Sequence, residues 1–195
     1  MPRRNTSEAS CILVTGATGS LGSHIVAHHS RLSHVKAMIC LNRKSTSNPL
    51  APQLDALRAK CIINVDVSKF EVTKTDSSKP MLGLKQNAYN ELASKVTDII
   101  HNAWPMSGKR PLKGFELQFR VMRNLLDLAS RACSLQGSVV GFQFISSIAV
   151  VGHYPILTGN PAVPEDRMTS VEAVLPNGYR NAKLVCERML DETLH

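Results

Sequence analysis

The stretch Val14-Thr15-Gly16-Ala17-Thr18-Gly19-Ser20-Leu21-Gly22 constrains this chain more than any other. It follows an apolar run, Cys11-Ile12-Leu13-Val14, and leads into Ser23-His24-Ile25-Val26-Ala27-His28-His29, an order that reads strand, glycine turn, helix. Gly16 permits the tight turn after the strand. Gly19 lets backbone N–H groups approach a pyrophosphate, and Gly22 lets the helix pack closely on the strand. A phosphate there would sit on the helix N-terminus, where unsatisfied N–H groups and the dipole favour negative charge. The same triplet also occurs as a plain tight turn. The strand before it, the helix after it and its place near the N-terminus favour dinucleotide binding.

The rest of the chain repeats the strand–helix alternation. Strand one covers about 11–14 and helix one about 21–31, and a second buried strand runs over 35–41. Residues 47–52 read as a loop, 53–60 as a short helix, 61–67 as ambiguous and 69–73 as a third strand. A helix follows over 87–95, then a strand over 96–103, the longest helical pattern over 112–133, a fifth strand over 139–145 and a last helix over 179–194. Phe115, Phe119, Met122, Leu125, Leu126 and Ala129 give the long helix one apolar face, which is core packing. The irregular stretch 153–176 is long enough to carry function. Strands and helices alternating through five rounds predict an α/β fold, a doubly wound parallel sheet of the Rossmann type.

Three strand ends carry candidate ligand contacts. The second strand stops at Asn42-Arg43-Lys44-Ser45, without the acidic residue that binds a ribose 2′-hydroxyl in NAD-binding folds. Arg43, Lys44 and Ser45 either hold a 2′-phosphate, which points to NADP(H), or form a solvated basic turn. Asp76, just past the third strand, is either an adenine neighbour or a turn residue. His101 and Asn102 end the fourth strand on the ligand side, followed by Ala103. A histidine there is expected as a hydrogen-bonded structural group, since no metal partners accompany it.

The 195 residues suffice for one domain with a real core, expected over 10–195 behind a disordered lead over 1–9. A net charge of +8 fits a basic mouth for a phosphorylated ligand or a solvated surface. Nucleic acid is not expected as a partner: no basic block is longer than Arg3-Arg4, and neither interleaved aromatics nor zinc spacing occurs. No stretch approaches a membrane span and no secretory signal opens the chain. Five scattered cysteines without a C-x-x-C pair predict reduced thiols in a cytoplasmic setting.

Tyr179-Arg180-Asn181-Ala182-Lys183 places tyrosine and lysine four apart on one helical face. Alone, this pair is weak. Here it follows a glycine turn, the serine pair Ser146-Ser147 at a strand end, and a loop able to cover a substrate. Hydride transfer to a carbonyl makes an alkoxide that needs a proton, and a tyrosine phenol can give it. A lysine ammonium nearby favours the phenolate, and a serine hydroxyl can steady the developing charge.

On these residues the chain resembles the extended short-chain dehydrogenase/reductases. More narrowly, Ile99-Ile100-His101-Asn102-Ala103-Trp104-Pro105, Ser78-Lys79-Pro80-Met81-Leu82-Gly83-Leu84 and Arg123-Asn124-Leu125-Leu126-Asp127-Leu128-Ala129 resemble thioester reductase domains that terminate fungal nonribosomal-peptide-synthetase-like and polyketide enzymes and carboxylate reductases. The resemblance covers about residues 10–194. It implies NADPH-dependent reductive release of a phosphopantetheine-bound thioester from a carrier protein, as an aldehyde and sometimes on to the alcohol. It implies Ser147 as the catalytic hydroxyl with Ser146 beside it, Tyr179 as the acid and Lys183 as its partner. It also implies that Thr15, Gly16, Thr18, Gly19, Ser20, Leu21, Gly22, Asn102, Ala103, Tyr179 and Lys183 surround the cofactor, with Arg43 at the 2′-phosphate and Asp76 near adenine. Many relatives carry an N-x-x-G-T motif where this chain has Gln118-Phe119-Arg120-Val121-Met122, so no relay asparagine carries over. Because such domains continue beyond the Tyr/Lys helix into a substrate lobe, the alternative expectation is a truncated NADP(H)-binding module with weak or no catalysis.

Overall fold

The computed structural model describes residues 9–43, 48–168 and 170–193, with the Arg43 side chain outside that description. The expected lead over 1–9 lies outside it except for residue 9, as do Lys44 and Ser45. The chain divides into two compact units, one of Met1–Trp104 with Asn124–Phe144 and one of Pro105–Arg123 with Ile145–His195.

The first unit is a five-stranded parallel sheet with flanking helices, the doubly wound architecture that the alternation predicts. Its strands are β1 (Ser10–Thr15), β2 (Val35–Arg43), β3 (Phe70–Thr75), β4 (Asp98–His101) and β5 (Gly141–Phe144), in the order β3-β2-β1-β4-β5. Leu13, Val14, Met38, Ile39 and Cys40 are fully buried, the continuous apolar run of strands covered on both faces. The order reverses at β1, whose Thr15 lies opposite His101 of β4. Ligands bind such sheets at that switch point, beyond the carboxyl ends of the strands. Helices α1 (Ser20–Ser30), α2 (Ala51–Ala59) and α3 (Gln86–Lys95) connect the strands in turn.

The sequence reading needs four corrections. Residues 51 and 52 are helical: α2 starts at Ala51 and carries Pro52 in its first turn, where the missing N–H breaks no bond. The long helix opens as a 3₁₀ turn over Leu112–Phe115 before α4 (Glu116–Gln136), which stops at Gly137, whose φ of +65° only glycine adopts at little cost. The strands β4 and β5 are shorter than the apolar runs that announced them. The stretch 153–176 is not wholly irregular.

That last correction belongs to the second unit, where α5 (Tyr154–Thr158) and a 3₁₀ turn over Val171–Ala173 lie inside the expected loop. Helix α6 (Gly178–Asp191) follows. Val150, Val174 and Leu184 form a small core there, joined by Val151. Arg167 and Asp191 pair at 2.9 Å. Among the described residues no helix is long and apolar enough to cross a membrane.

Candidate nucleotide cradle and catalytic helix

In the first unit the glycine turn is laced to the end of β4. The Thr15 hydroxyl accepts from the backbone N–H groups of Asn102 (3.1 Å) and Ala103 (3.0 Å) and lies 2.8 Å from His101 Nδ1. Two donors occupy its two lone pairs, so its own proton goes to Nδ1 and the neutral ring carries its proton on Nε2. His101, fully buried, is thus the structural histidine that its position predicts. Asn102 Nδ2 donates to Gly16 O at 3.2 Å. Asn102 and Ala103 are therefore held at the turn.

Two of the three glycines, Gly16 and Gly22, are sterically required, for reasons the spacing alone did not separate. Gly16 has φ +68°, and a Cβ on it would stand 2.9 Å from Ala103 N and Cα. A Cβ on Gly22 would stand 2.0 Å from Gly16 O, so Gly22 lets the first turn of α1 close on the glycine turn itself. Gly19 caps α1 with extended backbone, and no side chain caps that end. No acidic residue lies in the first turn. The leading N–H groups of α1 are thereby left for an anion, and Ser20 and Leu21 stand exposed there with Thr18 half-buried just before them. The donor set fits a dinucleotide pyrophosphate.

Sequence reading missed the residues that brace this turn. Gln53 of α2, fully buried, donates from Nε2 to Ala17 O at 3.0 Å, and Lys60 Nζ donates to Thr18 O at 3.3 Å. Ser23 Oγ donates to Gly19 O at 2.8 Å. No periodicity marks these residues, because each acts through one polar atom on a loop carbonyl.

Arg43 ends β2 opposite Thr75, the last residue of β3, so its backbone and Asp76 lie at the same edge of the sheet. The Asp76 carboxylate accepts from Ser78 Oγ (2.6 Å) and Ser78 N (3.3 Å) and pairs with Lys79 at 3.4 Å. These bonds, Ser78 first, hold its pKa below the usual carboxylate value. The Asp76 side chain thus closes a turn at the end of β3. Its loop closes on itself, with Asp76 N donating to Leu82 O at 3.0 Å, and Asn124 of α4 donates to the carbonyls of Ser77 and Lys79, each at 2.9 Å. Met81, Leu82 and Gly83 all have positive φ (52°, 56° and 68°), and Leu82 is fully buried.

In the second unit α6 presents the Tyr/Lys pair. Asn177 caps the helix by accepting from Tyr179 N at 2.8 Å, while its Nδ2 donates to Gly108 O at 2.8 Å. A Cβ on Gly178 would stand 2.2 Å from Arg110 O, so glycine admits the close approach of that backbone. The Asn-Gly pair just before Tyr179 was the available signal for this device. Tyr179 lines a cavity of about 350 Å³ with Met106, Ser107, Ala149 and Arg180. Its hydroxyl donates to Met106 Sδ at 3.5 Å, and its ring meets Phe115 edge-on at 6.3 Å.

Lys183, one turn on, is 3% exposed. Its Nζ donates to Ile145 O at 2.6 Å. Burial lowers its pKa to about 8, against the opposing pull of Cys186 and Glu187. Glu187 hydrogen-bonds the Ser146 hydroxyl, and burial raises its pKa. The Ser147 Oγ accepts from Ala149 N at 3.2 Å as the cap of the 3₁₀ turn Ile148–Val151, which leaves its own O–H to donate. The structure thus joins the Ile145–Ser147 segment to α6 and sets Tyr179 on a cavity.

Residues 14–195 match the model of the male sterility protein family. The non-reducing polyketide synthase pks11 of Talaromyces marneffei is 58% identical over 190 residues, covering 95% of this chain and 7% of that protein. The terminal R domain of the myxalamid PKS-NRPS biosynthetic pathway superposes with a TM-score of 0.78 at 20% identity, over 97% of this chain and 46% of that one. A thiolation-reductase di-domain from an archaeal non-ribosomal peptide synthetase superposes with a TM-score of 0.72 at 21% identity, over 96% of this chain and 50% of that one. The chain spans a small part of its curated relatives and about half of the solved neighbours. The chain belongs to the male sterility protein family of NAD(P)-binding domains.

Proposed function

We propose that this chain is the nucleotide-binding and catalytic portion, over residues 10–195, of an NADP(H)-dependent reductase acting on a carrier-bound thioester. The observation that carries the reading is on α6: Tyr179 opens onto a cavity while Lys183 is buried one turn later. NADP(H), when bound, supplies the hydride. The turn from Gly16 to Gly22 would hold its pyrophosphate, Thr15, Asn102 and Ala103 would fix that turn, and Asp76 would border the adenine. Arg43 would grip the 2′-phosphate, since a guanidinium pairs with phosphate oxygens in a bidentate way.

The chain's own groups handle the oxygen and its proton. Ser147 donates its O–H to the substrate carbonyl and stabilises the charge that develops there. Tyr179 protonates that oxygen, giving a hemithioacetal whose C–S bond breaks to release aldehyde and carrier thiol. The Lys183 ammonium favours the phenolate left on Tyr179. The polyketide synthase relatives and the thiolation-reductase neighbour support a phosphopantetheine-bearing carrier protein as the partner. A cytoplasmic setting is consistent with the scattered cysteines.

The test is turnover of NADPH with an acyl-pantetheine thioester. Tyr179→Phe is expected to abolish turnover, with NADPH affinity kept within about twofold. Undiminished turnover in that variant would refute the assigned acid. NADPH binding with no turnover of any thioester or aldehyde would favour a catalytically silent binding module.

A further inference from the structure

The proposed mechanism assigns no task to Ser146 or Glu187, yet their side chains meet where the catalytic serine must be held. Ser146 precedes Ser147 directly. Its hydroxyl is bonded to Glu187, which lies on α6 four residues beyond Lys183 and eight beyond Tyr179, on one helical face. The next residue back, Ile145, gives its carbonyl to Lys183 Nζ at 2.6 Å. The segment that carries Ser147 is thus tied to α6 twice, by adjacent residues, through a carboxylate and an ammonium of opposite sign. A half-buried carboxylate is costly unless its charge is compensated; Ser146 hydrogen-bonds it, and the Lys183 charge favours its ionised form.

We propose that Ser146 and Glu187 form a latch that fixes the Ile145–Ser147 segment on α6, making Glu187 a positioning residue for the Ser147 hydroxyl. The proposal rests on the reductase reading for its consequence in catalysis, but the latch is a property of the chain without substrate. Displacing a hydroxyl by about an ångström is enough to cost a large factor in rate while cofactor binding stays intact.

The experiment combines amide hydrogen exchange at residues 145–147 with steady-state kinetics, in the full chain. Ser146→Ala and Glu187→Ala are each expected to speed exchange at those amides about tenfold, since a hydrogen bond to a charged group is lost. The double variant is expected to be no faster than either single one, because both remove the same bond. Glu187→Gln keeps an acceptor for Ser146 and is expected to restore protection. In the reductase assay kcat falls about tenfold in the alanine variants with KM for NADPH unmoved. Unchanged exchange at 145–147 would overturn the latch, as would additive effects in the double variant. If Glu187→Ala does not fold, Ser146→Ala and Glu187→Gln carry the same comparison. A wild-type chain that turns over no thioester refutes the reductase reading, while the exchange data still decide the latch.

Discussion

The Thr15 hydroxyl and the His101 imidazole meet at 2.8 Å where the two central strands end side by side. This contact sets a tautomer, and it also makes Thr15 the common acceptor for the two N–H groups that lead the chain out of β4. Thr15→Val keeps the shape and removes the oxygen. It leaves those donors and the histidine without their partner, at an expected cost of about 2 kcal/mol. Chemical denaturation of the two proteins gives the difference directly. A change smaller than about 0.5 kcal/mol would mean that water or a shifted backbone replaces the hydroxyl.

Gly22→Ala tests the steric account of the glycine turn. The new methyl has no room, because Gly16 O lies 2.0 Å from where it must go. Either the turn opens or α1 moves away, and the cradle loses its shape in both cases. NADPH binding measured by calorimetry is expected to weaken at least about a hundredfold. Wild-type affinity in Gly22→Ala would show that the pyrophosphate is held elsewhere.

Arg43 gives the cofactor preference a direct probe. Arg43→Asp replaces the proposed 2′-phosphate partner by the carboxylate type that binds a ribose 2′-hydroxyl. The ratio of NADPH to NADH affinity is expected to fall by about a hundredfold or more. An unchanged ratio would remove Arg43 from the cofactor site.

Lys183 makes stability depend on pH in a defined direction. Its pKa is near 8 in the folded chain and 10.5 for an unperturbed lysine, with burial the main cause. Below 8 both states carry the proton, and the cost of burying the ammonium is felt in full. Between 8 and 10.5 the unfolded chain binds more protons, so this group's contribution to stability rises with pH across that window. Lys183→Met is expected to flatten that rise, which denaturation curves at several pH values would show. An identical pH profile in the variant would mean that Lys183 is not the group responsible.

The fold was legible because its signals are local and repeated. The apolar runs of β1 and β2 and the glycine triplet between β1 and α1 each satisfy one period or one backbone requirement. The Tyr179–Lys183 pair was legible for the same reason, as an i,i+4 spacing. What stayed hidden depends on single polar atoms meeting across long sequence separations. Gln53 on Ala17 O, Asn124 on the carbonyls of Ser77 and Lys79, and Ser146 on Glu187 are such cases. None of these side chains sits in a pattern, since a polar residue that will bond one distant partner looks in sequence like any solvated one. The helix α5 was hidden by its length: five residues with a proline at the start and a glycine after the end carry mostly turn signals.

If Asp76 borders the adenine as proposed, the backbone of the loop after β3 bears on how fast and how tightly a nucleotide is captured. From Asp76 to Gly83 it folds back on its own first residue, and three successive residues hold left-handed backbone that an unrestrained chain rarely visits. Asn124 anchors its outer carbonyls. The ordering entropy of this rim is therefore spent when the protein folds and is not charged again to the ligand. Capture of the adenine end should be limited by encounter, with association rates insensitive to solvent viscosity beyond the diffusive term and with little heat-capacity change from loop folding.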